Sequence, residues 1–155
     1  MKKINLIIII TIGILINSCN ENSEINKDKI IGTWSLLGYG GTYSDGTESF
    51  NSYAEKCASN NTWIFNSENQ TSVISFYGDI NNCNNNPEQN GFWVRSNDTN
   101  IVLSSEKITD LSAHPYIQNK AVFSDDDTMK LYYPNGKDIN MVEYETSYRK
   151  FKKIN

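Results

Sequence analysis

The chain has 155 residues, 38% of them hydrophobic and 12% aromatic, and a formal net charge of −4. That length allows one domain with one sizeable core, and the acidic balance argues against nucleic acid, which rewards clustered Lys and Arg. Nine Tyr and three Trp lean the composition toward β structure.

Met1-Lys2-Lys3 is a basic start, and Leu6 to Ile16 is a nearly unbroken apolar run. As a helix these eleven residues would span about 16 Å, half of a bilayer's hydrocarbon core. The run therefore reads as the core of a cleaved secretory signal over residues 1–18, and not as a transmembrane anchor. Leu15-Ile16-Asn17-Ser18-Cys19 resembles a bacterial lipobox, with Asn17 its less usual member. The resemblance implies a lipid on the Cys19 sulfur, cleavage before it, and acylation (palmitate) of the new N-terminus. Two or more chains hold a protein at a membrane where one is marginal. The other reading is a soluble secreted protein in which Cys19 is an odd thiol. Loss of Lys2 and Lys3 leaves 12 basic against 18 acidic residues, a charge of −6.

Asn20 to Asp28 holds one apolar residue and cannot bury enough to order itself, so residues 19–29 read as a lipidated end and flexible tether. Asn20, two residues into the mature chain, is not the Asp of an inner-membrane retention signal. An outer-membrane lipoprotein, facing the periplasm or the cell surface, is the expected location.

From residue 30 onward short strand-like runs alternate with polar turns, and no helical period lasts beyond two turns. In Ile30 to Gly38, Gly32 lets a neighbouring backbone come close, and Trp34 and Leu36 share a face. This suits a first barrel strand whose indole plugs one end of the interior. Gly40 to Gly46 reads as a turn passage closed by Asp45-Gly46. Phe50 to Lys56 is ambiguous between strand and one helical turn. Thr62 to Phe65 and Thr71 to Tyr77 read as paired strands around the polar Asn66–Asn69 turn, with Ile74 and Phe76 on one face. Asn81 to Asn90 is so rich in Asn that it reads as an exposed loop.

Gly91 to Arg95, Ile101 to Leu103, a segment around Ala121-Val122-Phe123, and Met129 to Tyr133 continue the series. Pro134-Asn135-Gly136 reads as a hairpin turn. In the last run Val142, Tyr144, Thr146 and Tyr148 alternate with Glu143 and Glu145. About eight strands with short polar links argue for an antiparallel meander closed into a barrel or paired sheets. The basic end Arg149 to Lys153 reads as a solvated terminus.

If Cys19 is lipidated, Cys57 and Cys83 remain as an even pair in an oxidising compartment. Disulfide is preferred to zinc, because two thiolates and one distant His, without CxxC, make a poor ligand set. The bond would close a loop of 27 residues, stabilise by roughly 3–4 kcal/mol, and clamp a hairpin at its open end.

The lipobox, tether, Ile31-Gly32-Thr33-Trp34, the Cys57…Cys83 hairpin around Trp63-Ile64-Phe65, and Gly91-Phe92-Trp93 together resemble the lipocalin-like lipoproteins of Bacteroidetes. The match runs over about residues 30 to 150. It implies an all-β, antiparallel up-and-down eight-stranded β-barrel of calycin type over residues 30–155, with Gly32 and Trp34 at the closed end. It also implies a late Arg lying over that Trp, for which Arg149 is the candidate. The family's Thr-Asp-Tyr motif is absent, so the resemblance says little about an open cup.

No nucleophile, base and orienting group are arranged for catalysis. His114, next to Ser112 and Asp110, lacks separate presenting elements. Asp125-Asp126-Asp127 lacks EF-hand spacing, and Glu143 and Glu145 lack a facing acid. Asp127-Thr128-Met129 resembles an O-glycosylation triplet. No enzyme activity, metal or cofactor is expected. Trp34, Trp63, Phe65, Phe76, Trp93, Tyr144 and Tyr148 either line a pocket for a small hydrophobic molecule or fill a narrow barrel. In the second case the protein acts through the Gly40–Gly46 and Asn81–Asn90 loops on a protein or glycan partner.

Overall fold

The computed structural model describes residues 28–112, 118–133, 136–138 and 140–154. The expected leader, Cys19, the expected tether up to residue 27, His114, and Pro134 and Asn135 of the expected hairpin turn lie outside the described residues. In chain order the strands are β1 (Gly32–Thr42), β2 (Glu48–Ser52), β3 (Thr62–Phe65), β4 (Gln70–Ile74), β5 (Phe76–Asp79) and β6 (Asn82–Asn85). They continue as β7 (Gln89–Arg95), β8 (Asn100–Ser104), β9 (Gln118–Phe123), β10 (Thr128–Tyr133) and β11 (Thr146–Lys153).

Burial alternates along β1, with Trp34 and Leu36 inside, as a strand with one face on a core requires. One edge of β1 is shared: its first residues pair with β3 and its last with β2. The other edge runs along β11 for its whole length, with a register shift between Leu36 and Gly38. Such a bulge bends the strand and increases its twist. From β3 the sheet passes antiparallel through β4, β7, β8, β9 and β10 to β11, which returns to β1. The result is a closed eight-stranded antiparallel barrel, consistent with the calycin architecture.

The strand boundaries depart from the sequence reading in four places. Gly40 and Gly41 belong to β1, and the turn is confined to Tyr43–Thr47, where Asp45 accepts the Thr47 N–H. These two glycines have a packing reason. A Cβ on Gly40 would lie 2.9 Å from the Tyr148 ring, and one on Gly41 2.3 Å from that of Tyr144. Each therefore lets a Tyr lie against the backbone, on opposite faces of the strand. Thr71 to Tyr77 is not one strand: the chain leaves the barrel at Ser75, where Asn61 Oδ1 accepts the Phe76 N–H. The Asn81–Asn90 stretch is not all loop, because it contains β6 and the start of β7.

Last, the alternation over Val142–Tyr148 does not make a strand, since β11 begins at Thr146. Met141 has a positive φ of 66°, which turns the chain and leaves Val142 half exposed while Tyr144 is buried.

β5 and β6 form a separate two-stranded hairpin outside the barrel. The Cys57–Cys83 disulfide, with Cα atoms 5.4 Å apart, joins this hairpin to the 3-10 turn Cys57–Asn60 before β3. It fastens an outer hairpin to the wall instead of clamping the ends of a barrel hairpin.

Candidate functional site

The closed end is built from large side chains. Trp34, Phe65, Phe151, Met129 and Ile101 are at most 1% exposed, and Trp93 is 4% exposed. Phe65 meets Trp93 edge-on with ring centres 6.0 Å apart, and Trp34 packs on Phe123 at 5.9 Å. The Trp34 indole donates to the Ile30 carbonyl at 2.7 Å, so the buried N–H is satisfied. Gly32, opposite Phe65, opens β1 with φ of +145°, which favours glycine.

Two residues expected in the tether close this end further. Asp28 accepts from Arg95 Nε at 2.6 Å and Nη2 at 2.5 Å, and from the Ile30 N–H at 3.1 Å. Ile30 is thereby held fully buried beneath the barrel floor. Burial acts to raise the Asp28 carboxyl, but the Arg95 hydrogen bond, the Ile30 N–H and the Arg95 charge outweigh it and hold the group below the usual range. Lys29 donates to the exposed Asp126 at 2.9 Å.

The other half of the interior is lined differently. Residues directly opposite on paired strands point to the same face, so the register of β11 with β1 and β10 sorts its side chains. Arg149 lies opposite Leu131 and Tyr39, and Phe151 opposite Met129 and Leu36. Leu131, Met129 and Leu36 are core residues, so Arg149 and Phe151 face inward. Arg149 sits 5.5 Å from the Trp63 ring centre and 4.9 Å from that of Tyr133. The cation over Trp34 is Lys153, at 5.1 Å. The expected Arg149–Trp34 contact is thus replaced by Lys153–Trp34. Tyr53 and Tyr133 are raised by burial and drawn down by the Arg149 charge, which places both phenols within its field.

A recess of about 470 Å³ opens in this half, bounded by Trp63, Thr71, Val73, Gln89, Gly91 and Leu103 among others. A smaller one of about 310 Å³ adjoins it, with Thr71, Asn90, Gly91 and Ser105 common to both. Thr71 Oγ1 in this wall is buried without a hydrogen-bond partner.

The aromatic candidates therefore divide. Trp34, Phe65 and Trp93 fill the closed half, and Trp63, edge-on to Phe151 with ring centres 5.4 Å apart, borders the recess. Phe76 lies in the outer hairpin and not in the barrel wall. Tyr144 packs on Gly41 and, at 5.0 Å, on Tyr43; the Tyr43 phenol donates to Asp138 at 2.7 Å, a bond that pushes it up to about 12. Tyr148 faces outward, because its register partners are Gly40 and Tyr132, and it is buried there between Phe50 and Tyr132. It is no lining residue.

Three of the other candidates have local partners. Asp125 accepts the Asp127 N–H within a turn, Asp110 accepts from Ser112, and Glu143 pairs with Lys137 at 3.2 Å. Among the described residues no group of three or more His, Cys, Asp or Glu is placed to hold a metal. The recess residues Val73, Gln89 and Leu103, and the tether clamp, escaped the sequence reading. Val73 and Leu103 carried a signal only as members of runs read as strands, and Gln89 fell in the stretch read as a loop. No protein-family model matches the sequence, and no curated protein matches it either.

Proposed function

We propose that the barrel holds a small, largely apolar molecule without covalent chemistry, on a protein tethered through lipidated Cys19 to the outer membrane. The observation that carries this reading is the recess bounded by Trp63, Val73 and Leu103 above a solidly packed closed half. Its volume, about 470 Å³, falls within the range of small-molecule sites, and its wall joins apolar side chains to a few polar ones such as Gln89 and Thr71. A neutral solvatochromic dye tests it. Nile red should shift to the blue with wild-type protein and lose that shift in Leu103→Trp, which fills the recess. An unchanged shift in Leu103→Trp would place the dye elsewhere and count against the recess.

One observation favours a second reading. The outer hairpin is fastened by Cys57–Cys83 and exposes Tyr77 and Ile80 by 55% and 50%. A rigid apolar tip of this kind suits contact with a protein or glycan partner in the envelope. Cross-linking from a photoreactive residue at position 77 in the intact envelope should yield a discrete adduct if this reading holds; diffuse labelling would count against it.

A further inference from the structure

The outer wall of the barrel is notched where β1 changes partners. β3 pairs with Gly32–Ser35 and β2 with Gly38–Thr42, so Leu36 and Leu37 fall between the two ladders. A notch of about 270 Å³ opens there, bounded by Ser35, Leu37, Phe50, Ser52, Ser59 and Lys150 among others. Its volume lies just below the range of sites for whole small molecules, which suits one ring of a longer ligand. Phe50 leans into it across Gly38, where a Cβ would lie 2.8 Å from the ring, and stays 45% exposed. The hydroxyls are of two kinds. Ser35 and Ser59 donate to backbone carbonyls at 3.3 and 2.7 Å and keep lone pairs with which to accept. Ser52 accepts the Ala54 N–H at 3.1 Å and keeps its O–H to donate. Sugar hydroxyls, which donate and accept at once, match such a set.

The cations beside the notch are unusual in an acidic chain. Tyr148, Lys150 and Lys152 share the outward face of β11, and Lys130 lies directly opposite Lys150. Like charges so placed repel across about 5 Å. Yet none of the ion pairs of the described residues involves Lys130, Lys150 or Lys152. Rings lie beside two of them instead: Lys130 is 4.1 Å from the Tyr148 ring centre, and Lys150 5.8 Å from that of Phe50. Lys152 lies opposite Ser35, on the rim of the notch. A bound carboxylate relieves this repulsion. Glu48, two residues from Phe50 on β2, marks the acidic limit of the face. An anionic bilayer fits the surroundings less well. The described chain starts beside the Asp125–Asp127 turn, with Lys29 bonded to Asp126, so three carboxylates stand where a tether would draw a membrane close. We propose that the notch binds a uronate residue of an acidic polysaccharide. The sugar ring lies on the exposed side of Phe50, its hydroxyls meet Ser35, Ser52 and Ser59, and its carboxylate meets Lys150. Lys130 and Lys152 receive the carboxylates of neighbouring residues along the glycan. This site is separate from the recess inside the barrel and does not depend on it.

Isothermal titration calorimetry with tetragalacturonate and its methyl ester tests this, since the two share rings and differ in charge. Wild-type protein should bind the acid at least about tenfold more tightly than the ester. Lys150→Gln and Lys130→Gln should each weaken the acid several-fold and leave the ester unchanged. Lys107→Gln, which removes an exposed cation elsewhere, should change neither. Phe50→Ala should weaken both, and Leu103→Trp, which fills the interior recess, should bind as wild type does. Equal binding of acid and ester, or binding of neither, overturns the proposal. So does a loss in Lys107→Gln as large as that in Lys150→Gln. Loss in Leu103→Trp would move the sugar into the barrel and overturn the notch. Phosphatidylglycerol vesicles that bind wild type but not Lys150→Gln, where the acid does not bind, would replace the glycan with a lipid surface.

Discussion

Asp28 shows how much one carboxylate contributes when its partner has the right shape. The Asp28 and Arg95 side chains are each about one-quarter exposed, 23% and 25%, so solvent screens the pair only in part. Hydrogen bonds to charged groups at such sites contribute about 1.5–3 kcal/mol. Asp28→Asn should lower unfolding free energy by that order at neutral pH, measured by chemical denaturation. The folded carboxyl is depressed, so its stabilisation is complete above the unfolded value near 4 and is lost as pH falls through the lower folded value. The difference between wild type and Asp28→Asn should therefore shrink at acid pH. A second residue-level case is Gly41, where a Cβ would lie 2.5 Å from the Thr146 carbonyl oxygen and 2.3 Å from Tyr144. Gly41→Ala should destabilise by about 1–3 kcal/mol, checked by the same denaturation. Neither role was legible in the sequence: Asp28 sat in a polar stretch, and Gly41 in a pair that reads as a turn.

At the scale of elements, legibility followed hydrophobic contrast. Thr62–Phe65 was read with its exact limits because apolar residues end abruptly at a polar turn. The β5–β6 hairpin was missed because Asn82–Asn85 is exposed along most of its length and so shows no alternation. Its support is covalent. A two-stranded hairpin is marginal by itself in water, and Cys57–Cys83 supplies what packing does not. The Cys57→Ser, Cys83→Ser double variant should lose about 2–4 kcal/mol. Hydrogen exchange should localise the loss, with faster exchange over residues 76–86 and protection retained in β1, β10 and β11. Uniform loss of protection would instead show that the disulfide holds the barrel itself.

For the whole molecule, the sequence left two readings of the aromatic residues, a filled barrel or a lined pocket, and the barrel contains some of each. The closed half is filled by Trp34, Phe65, Trp93 and Phe151, and the other half keeps a recess beside Trp63. The closed barrel was legible from strand count and polar turns. The place of Arg149 was not, because residues 149 and 153 share a face at period two and either satisfies the pattern. The choice between them is made by the register of β11 on β1, where Lys153 meets Trp34. Arg149 then falls about 13 Å further along the strand, within the recess half.

Native mass spectrometry of the protein isolated from its own cells, beside the Leu103→Trp variant, tests the occupied recess most directly. Wild-type protein should carry a discrete extra mass that disappears on denaturation and is absent from Leu103→Trp. A bare wild-type mass, or the same extra mass on both proteins, would contradict a binding recess beside Trp63.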